Sequence, residues 1–257
     1  MSESSGPWER SKAGQEPRDA GFWARGRNVL RVSDVPAGAV NLNVEGRRVI
    51  GALQGFGQLW QKTYTLTLRG ADVTPEEVVA LWKRDFPVFH PPQSRFYPSL
   101  DGVEPGEIML INASVQGMPV YTGVMVLYSD HVSFTVMTAE GLPEAGWNTF
   151  SAHEREDGST VVQIQSLARA SDPIYEVGFR LFGSTEQERI WTHVLSTLAA
   201  HFGVRERVHL EKACVDPKMQ WHRIGNVWHN AGLRSVVYAA ANQVRKASGL
   251  FHRRSRG

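Results

Sequence analysis

AGWNTFSAHEREDGSTVVQIQSLARASDPIY, residues 145–175, is the stretch whose reading decides the fold. Residues 145–153 and 160–169 are rich in β-branched and aromatic side chains, and the charged run between them ends in Asp157-Gly158. Two strands joined by a tight turn are antiparallel by necessity. Asp172-Pro173 then opens a helix, because proline is tolerated in a first helical turn and nowhere deeper. Upstream, 107–115, 120–129 and 132–138 repeat the strand pattern at hairpin spacing, broken by Gln116-Gly117, Ser129-Asp130 and Gly141-Leu142-Pro143. The result is an antiparallel meander. Val124, Met125, Val126 and Leu127 are apolar on both faces, so the sequence predicts that both sides of this strand are covered.

A helix lies on either side of the meander. The first, over 74–86, starts with Thr74 as N-cap, Pro75 at the first helical position and Glu77 to close a capping box. Its Val78, Val79, Leu81 and Trp82 form one apolar stripe, and Pro87 ends it. The second pauses at Gly183, restarts with Ser184 as N-cap and Gln187 at the third helical position, and runs to a stop at Gly203. Ile190, Trp191, Val194, Leu195, Leu198 and Phe202 recur along it at three and four residues.

Elsewhere the signals are weaker. Residues 1–20 are polar and without apolar periodicity, which predicts disorder. Residues 40–44 alternate like a short strand, 58–68 read as a longer one, and the proline-punctuated 90–98 reads as a loop. The glycines at 51, 55 and 57 have the wrong spacing for a dinucleotide fingerprint and imply a bend or a close backbone approach. Asp216-Pro217 starts a final helix reaching about residue 246, with Trp221, Ile224, Trp228 and Ala231 on one side.

Composition narrows the class. With one cysteine among 257 residues, no internal disulfide forms and a reducing, cytoplasmic setting is expected. Cys214 itself reads as a small buried hydrophobe. The longest apolar run, 236–241, is far short of the roughly 20 residues a bilayer span needs. The net charge is +2, yet residues 216–257 hold eight Lys/Arg against Asp216, or +7, which leaves −5 for the rest. Only the end is basic.

The order strand, helix, meander, long helix resembles the helix-grip α+β fold of the START/SRPBCC superfamily, which includes polyketide-cyclase-like and lipid-transfer proteins. The similarity is densest over 131–204, through the opening stretch and the helix after it, in an uncharacterised branch. It covers 45–204 as one domain, with 1–44 as an N-terminal extension and 205–257 as a basic, helical C-terminal one. The resemblance implies a curved antiparallel sheet gripping the helix over an apolar space that holds a hydrophobic small molecule or lipid. No catalytic set, metal or cofactor comes with it.

Candidate residues follow from the pattern. Val124, Val126, Phe134, Val136, Phe150 and Ile164 from the strands, with Trp191, Leu195 and Leu198 from the helix, are expected to line either a solid core or a ligand pocket; both use the same residue types. A cyclase, dehydratase or lyase reading needs acid–base groups, with His153, Glu154 or a tyrosine (Tyr121, Tyr128) as the candidates, and Asn112, Gln163 and Gln165 as further polar groups on the sheet faces. The nine histidines form no metal-ligand motif; His222 and His229 near Cys214 are the nearest approach to one, and no metal is expected. The basic last helix offers a second class of partner, an anionic membrane surface, with nucleic acid disfavoured.

Overall fold

A computed structural model describes residues 20–26, 29–115, 117–182 and 185–254, without the side chains of residues 182, 185 and 246–254. The expected disorder of 1–19, the pause at Gly183, the Ser184 cap and Gln116 of the first turn lie outside the described residues. Within them, nine strands form one antiparallel sheet. In chain order these are β1 (Val49–Ile50), β2 (Leu59–Thr67), β3 (Ser94–Tyr97), β4 (Ile108–Val115), β5 (Met118–Ser129), β6 (Ser133–Ala139), β7 (Glu144–Glu154), β8 (Thr160–Ala170) and β9 (His209–Asp216). The sheet order is β3-β4-β5-β6-β7-β8-β2-β9, with β1 paired to β6. The β4–β8 run is the predicted meander.

The concave face carries helices packed directly on the sheet. At one end sits α1 (Pro75–Arg84), where Thr74 Oγ1 accepts from Glu77 N at 3.2 Å and Glu77 Oε2 accepts from Thr74 N at 2.8 Å. The capping box forms as read. A short 3-10 turn, Phe86–Phe89, follows it and adds Phe86 and Phe89 to the core. At the other end α2 (Pro173–Phe182) leads into α3 (Thr185–His201). Trp191, Val194, Leu195 and Leu198 of α3 are buried against the sheet. The predicted stripe is therefore the gripped face.

The convex face is covered as well, which accounts for the two-sided apolar character of β5. Met125 packs outward with Leu30, Val44, Leu110 and Ala139. Beside them lies α4 (Ala231–Arg254), whose Ser235 Oγ accepts from Tyr121 N at 2.9 Å and whose Tyr238 ring meets that of Tyr121. Gly141 must be glycine at this junction: φ is +93°, and a Cβ would stand 2.0 Å from the His229 carbonyl oxygen. Gly55 makes the close backbone approach expected of the early glycines, since a Cβ there would stand 3.0 Å from the Ala170 carbonyl oxygen.

Several readings are corrected. Residues 41–46 form bends and a turn rather than a strand, because Asn41 Oδ1 caps Glu45 N and Asn43 is spent on Tyr121 O and Ser235. Ser94–Tyr97, expected as loop, pairs with β4 as an edge strand, where prolines on either side cost no ladder bond. Residues 209–216 form β9 along β2 rather than part of a helical extension. Asp216 ends β9 and Pro217 starts an irregular stretch rather than a helix, with a 3-10 segment, Trp221–His229, following before α4 begins. Cys214 is exposed, not buried, because β9 is an edge with little packed on it.

Candidate functional site

Strand register stacks the concave residues into rows. Phe134, Phe150, Ile164 and Tyr64 are directly paired across β6, β7, β8 and β2. Two residues along, the row is Val136, Asn148, Ser166 and Lys62. Beyond it, Gly146 pairs with Ala168 and Glu144 with Ala170. On β7 and β8 the side chains shrink to Gly146 and Ala168, whereas β2 sets Trp60 opposite Ala168.

At the full end, Trp82 and Phe86 drop edge-on toward Phe134 and Phe150, with ring centroids 5.3–6.0 Å apart. Phe134 and Phe150 stack on each other at 4.7 Å. His90 closes this layer against Phe86, Phe96 and Trp191. Burial pushes the His90 pKa down to about 4, despite the hydrogen bond of Nδ1 to Phe86 O at 2.9 Å. Its imidazole is a neutral core group.

At the open end a cavity of about 190 Å³ lies between the sheet and the roof made by α2 and the first turns of α3. Val124, Val136 and Phe150 line its sheet side, and Phe179, Ile190 and Trp191 its helix side. Three polar atoms of its lining, the buried Asn148 Oδ1, Thr122 Oγ1 and Trp191 Nε1, have no hydrogen-bond partner in the protein. Buried polar atoms are rarely left so. An open cleft of about 270 Å³ adjoins it and shares Glu144, Phe179 and Gln187 as walls.

The partition between the two spaces is a relay. Lys62 Nζ donates to Gln187 Oε1 at 2.6 Å, and Gln187 Nε2 donates to Glu144 Oε2 at 2.6 Å and to Ser166 Oγ at 3.4 Å. Burial raises the Glu144 pKa more than Lys62 lowers it. Burial likewise lowers the Lys62 pKa against the pull of Glu144 and Glu188. Glu188 also pairs with Lys212 at 2.6 Å. Among the described residues no group of three or more His, Cys, Asp or Glu is gathered closely enough to hold a metal.

Of the residues singled out from sequence, Val124, Val136, Phe150 and Trp191 line the cavity. Val126, Phe134, Ile164, Leu195 and Leu198 lie in the filled core beside it. The acid–base candidates are not brought together. His153 and Glu154 are exposed at the end of β7. Asn112 holds Gly38 O and Val40 N, and Tyr121 faces α4. Tyr128 packs between Phe22 and Trp23 with its hydroxyl on Asp130. Gln163 and Gln165 occupy positions of β8 that alternate with the buried Val162, Ile164 and Ser166. Parity explains most of this: on β7 and β8 the even positions face the helix. The same rule was the available signal for Glu144 and Asn148, which share the parity of Phe150. Gln187 was read only as a capping residue.

No family model matches the chain, and no curated protein matches it. Similar solved structures include the di-domain ARO/CYC StfQ from the steffimycin biosynthetic pathway, at 12% identity and TM-score 0.44, covering 57% of this chain and 53% of that one. A START superfamily protein from Mycobacterium smegmatis is 17% identical at TM-score 0.39, covering 57% of this chain and 98% of that one. A Thalictrum norcoclaurine synthase point mutant is 13% identical at TM-score 0.41, covering 56% and 97%. Likenesses this distant carry no weight for function. The architecture speaks for itself: an antiparallel meander curls round α3, with α1 inserted before it. The fold is helix-grip, the type of the START/SRPBCC superfamily. Outside the strand–helix–meander–helix order the chain adds β9 to the sheet edge and α4 to the convex face.

Proposed function

We propose that the protein binds, without transforming it, a small hydrophobic molecule carrying one hydrogen-bond-donating group. The observation that supports this is the apolar cavity whose buried polar atoms, Asn148 Oδ1 first among them, lack partners. Apolar cavities of about 150 Å³ stay dry and take up benzene. A volume of about 190 Å³ therefore suits a ligand of one or two rings or a short chain, with its donor on Asn148. The adjoining cleft, walled by Lys62, Glu144 and Gln187, gives a longer ligand a polar exit.

The test compares 1-naphthol with naphthalene by calorimetry, alongside native mass spectrometry of protein purified from its host. Naphthol is expected to bind about two- to tenfold tighter than naphthalene, the worth of one neutral hydrogen bond. Asn148→Leu should erase that preference while retaining naphthalene. Absence of saturable binding for both compounds overturns the reading.

A second reading has one observation in its favour. Glu144, a carboxyl with a raised pKa, walls both spaces, and such groups serve as proton carriers. It replaces His153 and Glu154 as the acid–base candidate on a hydrophobic carbonyl compound. Conversion of a bound ligand that Glu144→Gln abolishes, with binding unchanged, would establish it.

A further inference from the structure

Among the described residues, a run of exposed apolar side chains lies on the basic last part of the chain. One side of α4 is spent on the convex face, where Ser235 is fully buried and bonds Asn43 and Tyr121. Its other side presents Leu233, Val237 and Val244 to solvent, the two valines each 69% exposed. The preceding 3-10 segment adds Ile224 and Trp228, the latter 82% exposed. The 3-10 segment leads into α4, and Val227, Trp228, Leu233, Val237 and Tyr238 line one groove across the two. Grouped aliphatic and tryptophan side chains on neighbouring helices are more than the scattered apolar exposure of an ordinary surface.

Charge decides what covers them. The α4 sequence contains Arg234, Arg245, Lys246, Arg253 and Arg254 and no Asp or Glu. A second copy of the chain would bring the same positive charge to the contact. Nucleic acid would satisfy the arginines and leave the valines and tryptophan in water. An anionic bilayer accepts both, taking the apolar side chains at its headgroup boundary and pairing the basic ones with lipid charge.

We propose that the Trp221–His229 segment and α4 form a surface that docks this protein on an anionic phospholipid bilayer. The reading does not depend on what the cavity holds.

Co-sedimentation of the full chain with phosphatidylcholine vesicles, with and without added phosphatidylserine, tests it. Binding should be about tenfold or more stronger with phosphatidylserine, and should fall with salt, since each basic residue near the surface contributes about fivefold. Val237→Glu/Val244→Glu, at exposed positions, should lose at least about tenfold by removing apolar contact and adding repulsion. Arg234→Gln should lose about fivefold. The proposal is overturned by equal binding to both vesicle types, by no binding to either, or by undiminished binding of the double valine variant. A wild-type dimer that this variant dissociates, or sedimentation with duplex DNA instead of vesicles, overturns it too.

Discussion

Two ends of one concave surface behave as opposites. Toward α1, the paired row Phe134, Phe150, Ile164 and Tyr64 meets Trp82 and Phe86 with no space left. Toward α2, β5, β6 and β7 present Val124, Thr138, Val136 and Asn148 beneath a helical roof, and a cavity remains. Strands β6 and β7 run through both ends, so the difference along them is the step from the Phe134–Phe150 pair to the smaller Val136–Asn148 pair.

The sharpest way to break this contrast is substitution at each end. Phe134→Ala should cost about 3–5 kcal/mol in denaturant unfolding, because the stacked rings cannot collapse into the gap. Val124→Phe, filling the cavity instead, should stay within about 1.5 kcal/mol of the wild type and abolish naphthol binding. If the two changes cost alike, the ends are not different.

His90 sharpens the comparison through pH. Its folded-state pKa of about 4 lies below the ordinary 6.5, so stability is complete above 6.5 and falls as pH drops toward 4. The loss should approach roughly 3 kcal/mol. In His90→Leu that part of the pH slope should vanish, whatever the variant's absolute stability. An unchanged slope would place the titrating group elsewhere.

A smaller effect isolates α1. Thr74→Ala removes the N-cap and should cost about 1 kcal/mol, with naphthol affinity unaltered because α1 does not touch the cavity. The smallest effect belongs to Glu144. Its raised pKa means that the buried charge opposes folding above the folded-state pKa and ceases to do so below the ordinary value of 4.5. Glu144→Gln should therefore be more stable than the wild type at neutral pH, with the gap closing as pH falls through the raised pKa toward 4.5. A wild type that is the more stable of the two at pH 7 would mean that the attraction of Lys62 and the hydrogen bond from Gln187 outweigh burial.

The legibility of the fold followed the strength of local signals. The capping box at Thr74 and the Trp191 stripe are encoded within a few residues, and the meander strands within one alternation each. The edge strands were illegible for physical reasons. In β9, exposure of nearly every residue leaves no apolar period, and β3 is framed by prolines. The site was half legible. Apolar residues bound for cavity and core look the same until register pairs Phe150 with Ile164 and Gly146 with Ala168. Gln187, Lys62 and Glu144 are far apart in sequence and meet only because β2, β7 and α3 converge.

The pairing of β9 with β2 has a practical side. Cutting the chain after Val204 would strip seven of nine residues of β2 of their outer neighbours, from Leu59 to Thr65. A bare strand of that length carries unpaired amides ready to recruit another chain. The C-terminal portion therefore doubles as an aggregation guard, and a shortened protein that precipitates would report the loss of that guard rather than a failure of the gripped core.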